Sequence, residues 1–138
     1  MDLGIANKVA LVLGGSKGIG RAIAIELAQA GAKVVVVARG QQAIDETVAQ
    51  VKMLGGEAMG ISADLLDLSS YESVVDQCIA SFGSPDIAVY NMDAPPPGQF
   101  DDVDEQMLAD AYHMVVLCYS RMLRHVLPTM KLSLIHIS

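Results

Sequence analysis

The 138-residue chain is of single-domain size, and its 52% apolar and 18% charged content excludes a disordered chain. Nine basic against sixteen acidic residues leave a net charge of −7, which excludes a general nucleic-acid or anionic-membrane binder but leaves room for one anion at a local site. No apolar run is long enough to cross a bilayer, and the start Met1-Asp2-Leu3-Gly4 lacks a basic signal-like character, so a cytoplasmic location is expected.

The elements alternate along the chain. Residues 9–13, all apolar, read as a first strand, and the turn from Gly14 through Gly15, Ser16, Lys17, Gly18 and Ile19 to Gly20 opens a helix over 19–30. A glycine-rich turn between strand and helix is suited to a phosphate, because backbone N–H groups and the helix dipole favour an anion there. Gly14 permits the sharp turn, Gly18 the approach of a pyrophosphate to the backbone, and Gly20 the close packing of the helix. Residues 33–38 form the second strand, whose unbroken Val34 to Val37 suits a parallel strand buried on both faces. A helix over 41–54 carries Ile44, Val48, Val51 and Leu54 on one face and ends at Gly55-Gly56.

Residues 57–62 read as the third strand. The helix after it shows Tyr71, Val74, Val75, Cys78, Ile79 and Phe82 at helical spacing, and 86–91 form the fourth strand. Right-handed strand–helix crossovers of this kind predict an α/β fold with a doubly wound, Rossmann-like parallel sheet. Ala94-Pro95-Pro96-Pro97-Gly98 is a loop on the expected ligand side, a better reading than a polyproline ligand for a partner module. A long helix over 104–127 then presents two apolar faces, Leu108, Ala111, Val115, Cys118 and Met122 on one and Val116, Tyr119, Leu123 and Val126 on the other. One face can cover the sheet; the second suits a subunit interface, or burial within a larger domain. Cys78 and Cys118 read as buried, reduced thiols, and His113, His125 and His136 show no metal-ligand spacing, so no metal is expected.

The chain resembles the short-chain dehydrogenase/reductase family over residues 3–131. The resemblance is carried by Gly14-x-x-x-Gly18-Ile19-Gly20, by Asp64-Leu65 after the third strand, by Asn91 at the end of the fourth, and by Leu127-Pro128-x-Met130. It implies that the segment from Gly14 to Gly20 wraps the pyrophosphate and adenosine ribose of a dinucleotide. It also implies that Asp64 meets the adenine amino group with Leu65 beside the ring, and that Asn91 steadies the sheet near the cofactor ribose. The second strand ends in Ala38-Arg39, where an NAD-specific site has a carboxylate. An arginine there, with Lys17 and Ser16 on the same side, favours the 2′-phosphate of NADP(H), with NAD(H) as the alternative.

The chain departs from the family pattern at several positions. Leu13 replaces a usual threonine, Tyr90-Asn91-Met92-Asp93 replaces Asn-Asn-Ala-Gly, and Val115 stands near the position of the helix asparagine. The family's chemistry uses a tyrosine general acid/base with a lysine four residues on, together with a serine. Tyr71, Tyr90, Tyr112 and Tyr119 are followed at that spacing by Val75, Ala94, Val116 and Leu123, so no catalytic residue is assigned.

The expectation is therefore the first four strands and helices of one NAD(P)-binding domain over 1–131, the cofactor-binding half of an oxidoreductase acting on a carbonyl or alcohol and inactive alone. A homo-oligomer through helix 104–127 is expected as well. The alternative is a non-catalytic nucleotide-binding or oligomerisation module. Residues 132–138 read as a non-native tail or as the start of a fifth strand.

Overall fold

The computed structural model describes residues 3–92 and 98–133, with side chains described to Met130. Strands β1 (Val9–Leu13), β2 (Lys33–Ala38), β3 (Glu57–Ser62) and β4 (Ile87–Tyr90) alternate with helices α1 (Gly18–Gln29), α2 (Gln41–Met53) and α3 (Ser70–Ser81). After β4 come a short 3₁₀ turn (Phe100–Asp102), α4 (Glu105–Tyr112), a π-turn (His113–Leu117) and α5 (Cys118–Ser133).

The sheet is parallel, in the order β3-β2-β1-β4. Its two faces follow from the alternation of side chains along a strand. Val9, Leu11, Leu13, Val35 and Val37 face α3 and α5 in one buried cluster, where they meet Tyr71, Val74, Cys78, Cys118, Met122 and Val126. Ala10, Val12, Val34 and Val36 face α1 and α2 in the other, with Ala24, Ala28 and Val51. The small alanines of α1 bring that helix close to the strands. Both faces of β1 and β2 are covered, as the unbroken valine run predicts. Asp86 holds the start of β4 against β1: its carboxylate accepts from the Val9 amide (2.9 Å), and its own amide donates to the Val9 carbonyl (2.8 Å).

Some expectations are corrected. Leu54 lies outside α2 as its C-cap residue and is exposed, and Gly55 then turns the chain at φ 85°. The predicted two-faced helix is interrupted by the π-turn, whose extra residue rotates the apolar stripe. Its buried stripe takes Cys118 and Met122 from one predicted face, Val126 from the other and Met130 from beyond the predicted end at 127, whereas Leu108, Val115 and Val116 are exposed. The helix α5 runs to Ser133; residues 134–138 of the expected tail lie outside the described residues, as do the prolines 95–97.

Candidate functional site

The strand order reverses between β1, which continues to β2 and β3, and β4 on the opposite side. A crevice opens at such a reversal, outside the carboxyl ends of the strands. Here it is a cleft of about 450 Å³ lined by Gly14, Ser16, Lys17, Ala38, Arg39, Gly40, Ala63, Asp64, Leu65, Leu66, Asn91, Met92 and Met114, within the size range of small-molecule and cofactor sites.

The glycine turn forms one wall. Gly14 sits at φ 79°, and an added Cβ would overlap the Asn91 carbonyl oxygen. The loop is tied on two sides: the Gly14 amide donates to the Val37 carbonyl (2.8 Å), and Asn91 Nδ2 donates to the Gly14 carbonyl (3.3 Å). Leu13, at the usual threonine position, is instead fully buried in the core. Gly20 is also enforced by crowding, since an added Cβ would overlap the Gly14 carbonyl oxygen and come within 2.8 Å of Asn91 Nδ2. Its closeness is thus to the loop and to the end of β4 rather than to the sheet face. Ser16 is buried, and its carbonyl accepts from the Thr47 hydroxyl of α2 (3.3 Å). No side chain caps α1 and its first turn holds no acidic residue, so the amide-rich helix start is compatible with an anion.

Charge is placed at the rim. Lys17 and Arg39 are exposed, and among the described residues the single ion pair is Lys33–Glu57 at 3.9 Å, so neither rim cation has a carboxylate partner among them. The floor is the segment after β3. Asp64 accepts from the Leu66 amide through Oδ1 (3.0 Å), and Ser70 Oγ donates to the Asp64 carbonyl (2.9 Å). Asp67 accepts from the Ser69 hydroxyl and amide, which hold its carboxyl below the usual range. Tyr71 donates to the Leu65 carbonyl (2.7 Å) from inside the core.

Of the residues expected from sequence, Gly14, Ser16, Lys17, Arg39, Asp64, Leu65 and Asn91 converge on the cleft. Gly18, Ile19 and Gly20 do not line it; Gly18 stands in open space at φ 52°, and Ile19 is 72% exposed. Leu66, Met92 and Met114 were not anticipated as lining. Leu66 follows directly from Asp64-Leu65, whereas nothing local marks Met114, which arrives through the π-turn. Val115, near the expected asparagine position, also lies in that turn and is 53% exposed. The Met114 carbonyl accepts from the Tyr90 hydroxyl (2.6 Å), and Tyr90 meets Tyr119 edge-on with centroids 5.3 Å apart. Burial pushes the Tyr90 phenol up to about 12 and Tyr71 further still, so neither is set to exchange a proton near neutrality.

Comparisons with known proteins agree with this architecture. A family model described as short chain dehydrogenase matches residues 8–134. A protein named probable tetrahydroxynaphthalene reductase of Zymoseptoria tritici is 42% identical over 101 residues, which are 72% of this chain and 38% of that protein. Elsinochrome reductase 1 of Elsinoe fawcettii is 42% identical over the same shares. The crystal structure of L-sorbose reductase from Gluconobacter frateurii, complexed with NADPH and L-sorbose, superposes with a TM-score of 0.89 at 29% identity. That match covers 96% of this chain and 51% of the solved one. The chain thus spans 38% of the length of these curated relatives and about half of that structure. With the parallel sheet, the glycine turn and the cleft at the strand reversal already in place, the family match over 8–134 makes this chain a member of the short chain dehydrogenase family.

Proposed function

We propose that the chain supplies the NADP(H)-binding part of an oxidoreductase that moves a hydride between the nicotinamide and a carbonyl or alcohol carbon. The observation that carries the cofactor preference is that Arg39 and Lys17 line the same cleft, with Ala38 where a 2′-hydroxyl-binding carboxylate would stand. A carboxylate would repel a 2′-phosphate, whereas a guanidinium offers it two parallel hydrogen bonds. The residues fit the group: the Gly14–Gly20 crossing leaves no room for a side chain, and the α1 start carries no acidic residue. In this reading Gly14, Ser16, Lys17, Gly18, Ile19 and Gly20 would wrap the pyrophosphate and adenosine ribose, Arg39 would meet the 2′-phosphate, Asp64 and Leu65 the adenine, and Asn91 would lie near the cofactor ribose. When bound, the cofactor supplies or accepts the hydride.

Calorimetric titration of the chain with NADPH and NADH tests this. NADPH binds more tightly, and Arg39→Asp weakens NADPH by about tenfold or more while sparing NADH, as expected for loss of a charge-assisted pair. Equal affinities in the parent, unchanged by the substitution, would remove the 2′-phosphate reading. With no Tyr-x-x-x-Lys in its sequence, the chain by itself binds cofactor without turning over a carbonyl, and NADPH consumption with a ketone panel checks that.

A second reading concerns assembly. Leu108, Tyr112, Val115, Val116, Leu117 and Tyr119 are exposed apolar residues of the long helix, which supports homo-oligomerisation through 104–127. A non-catalytic nucleotide-binding or oligomerisation module uses the same surfaces, and concentration-dependent association without nucleotide dependence would favour it. Two free, buried cysteines and a net charge of −7 support a reducing, cytoplasmic setting without nucleic-acid partners. Among the described residues, no helix is long and apolar enough to cross a membrane.

A further inference from the structure

The π-turn over 113–117 is completed by a side chain from outside the helix. In an α-helix the Cys118 amide would donate to the carbonyl four residues back, that of Met114. Here it donates to the His113 carbonyl, five residues back. The Met114 carbonyl accepts instead from the Tyr90 hydroxyl of β4 at 2.6 Å, so a phenol stands in for the helix bond that the turn gives up. Burial keeps that phenol protonated and therefore a donor, and its ring meets Tyr119, just past the turn, edge-on at 5.3 Å. The nearby Tyr71 hydroxyl is engaged elsewhere, on the Leu65 carbonyl. The turn has two further ties to the cleft floor, His113 Nε2 at 2.6 Å and Cys118 Sγ at 4.0 Å from the Leu66 carbonyl. Those act on either side of Met114, whereas Tyr90 acts on Met114 itself.

The turn decides where Met114 goes. Met114 lies four residues before Cys118, the first residue of the buried stripe Cys118, Met122, Val126 and Met130. An uninterrupted α-helix would continue that stripe through Met114 and press it on the core. The extra residue of the turn rotates it off the stripe, and Met114 lines the cleft with Leu65, Leu66 and Met92. We infer that Tyr90 is a positioning residue: by taking the Met114 carbonyl, its hydroxyl holds the helix in the register that seats the Met114 side chain against a dinucleotide in this cleft. The role in binding rests on the dinucleotide reading given above. A thioether side chain is apolar and adaptable, so a seated Met114 adds apolar contact to a nucleotide beside the charges of Lys17 and Arg39. Once the hydroxyl is lost, the Cys118 amide can return to the Met114 carbonyl, and the α-helical register withdraws Met114 from the cleft.

The test uses the full chain with methyl-labelled methionine and three variants. Tyr90→Phe removes the hydroxyl and keeps the ring, Met114→Ala keeps the carbonyl and removes the side chain, and the third combines them. In unliganded Tyr90→Phe the Met114 methyl resonance shifts, while those of the buried Met122 and Met130 stay in place. NADPH affinity falls about fivefold in Tyr90→Phe and in Met114→Ala, and the double variant loses no more than either alone. An unshifted Met114 methyl in Tyr90→Phe overturns the inference, because the His113 and Cys118 ties then suffice to hold the turn. Additive losses in the double variant overturn it as well, since Tyr90 then acts on binding by a route other than Met114. Joint displacement of Met122 and Met130 does the same, by making Tyr90 a general core residue. The unliganded methyl spectrum separates this inference from the cofactor reading. A Met114 methyl that shifts in a chain whose parent binds no NADPH defeats the dinucleotide reading and the binding role of Tyr90 with it. NADPH binding with an unmoved methyl defeats the role of Tyr90 alone.

Discussion

The glycine turn and the long helix flank the same cleft yet are built in opposite ways. The turn from Gly14 to Gly20 is set by local chemistry and backbone crowding, with two of its glycines against main-chain or Asn91 atoms and its loop tied to β2 and β4. The long helix is held by one buried stripe and by side-chain bonds to the 64–68 segment, and it leaves Leu108 60% and Tyr112 56% exposed. Where backbone meets backbone there is no slack, so a single added carbon is felt. Where an apolar helix face is open, the same substitution changes what the surface binds rather than whether the chain folds.

Substitutions sharpen this contrast. The largest effect is expected for Gly14→Ala, which combines a positive φ with overlap on the Asn91 carbonyl and destabilises by about 4 kcal/mol or more in urea unfolding. Gly18→Ala, at φ 52° in open space, costs about 1 kcal/mol. Equal losses at the two positions would show that backbone conformation rather than crowding governs the turn.

Next comes Leu11→Ala, at 1% exposure in the centre of the sheet, with an expected loss of about 3 kcal/mol. Leu108→Ala stays within about 0.5 kcal/mol of the parent but lowers self-association in sedimentation velocity. If Leu108→Ala instead unfolds the chain, the open helix face is part of the core after all.

The smallest effect is a pH dependence. Burial pushes the Cys78 thiol from 9.0 up to about 11, so the folded chain keeps a proton that the unfolded chain loses first. The associated stability is fully present below about pH 9 and is lost as pH rises toward about 11. Thermal midpoints across that window should fall, and less steeply in Cys78→Ala; identical slopes would assign the fall to other groups such as Tyr90.

Much of the fold and of the cleft was legible in the linear chain. The valine run of β2, the apolar run of β1 and the strand-turn-helix setting of Gly14 to Gly20 are local patterns, and the structure places them as expected. Gly14, Ser16, Lys17, Arg39, Asp64, Leu65 and Asn91 all sit at or just after strand ends, which a parallel sheet brings to one edge. Their convergence therefore follows from element order alone.

The long helix was misread because its apolar residues fit two overlapping stripes, and nothing local announces a π-turn. Only packing against Tyr71, Tyr90 and the 64–68 segment selects Cys118, Met122, Val126 and Met130 for burial and brings His113 and Met114 to the cleft floor. Sequence by itself thus determined the strand–helix alternation, the glycine turn and the two cations, Lys17 and Arg39, that reach the cleft, since each depends on neighbours a few residues apart. Tertiary structure alone decided the phase of the long helix and its side-chain bonds to the 64–68 segment. That phase depends on contacts between residues 24 or more apart, whose geometry no local period encodes.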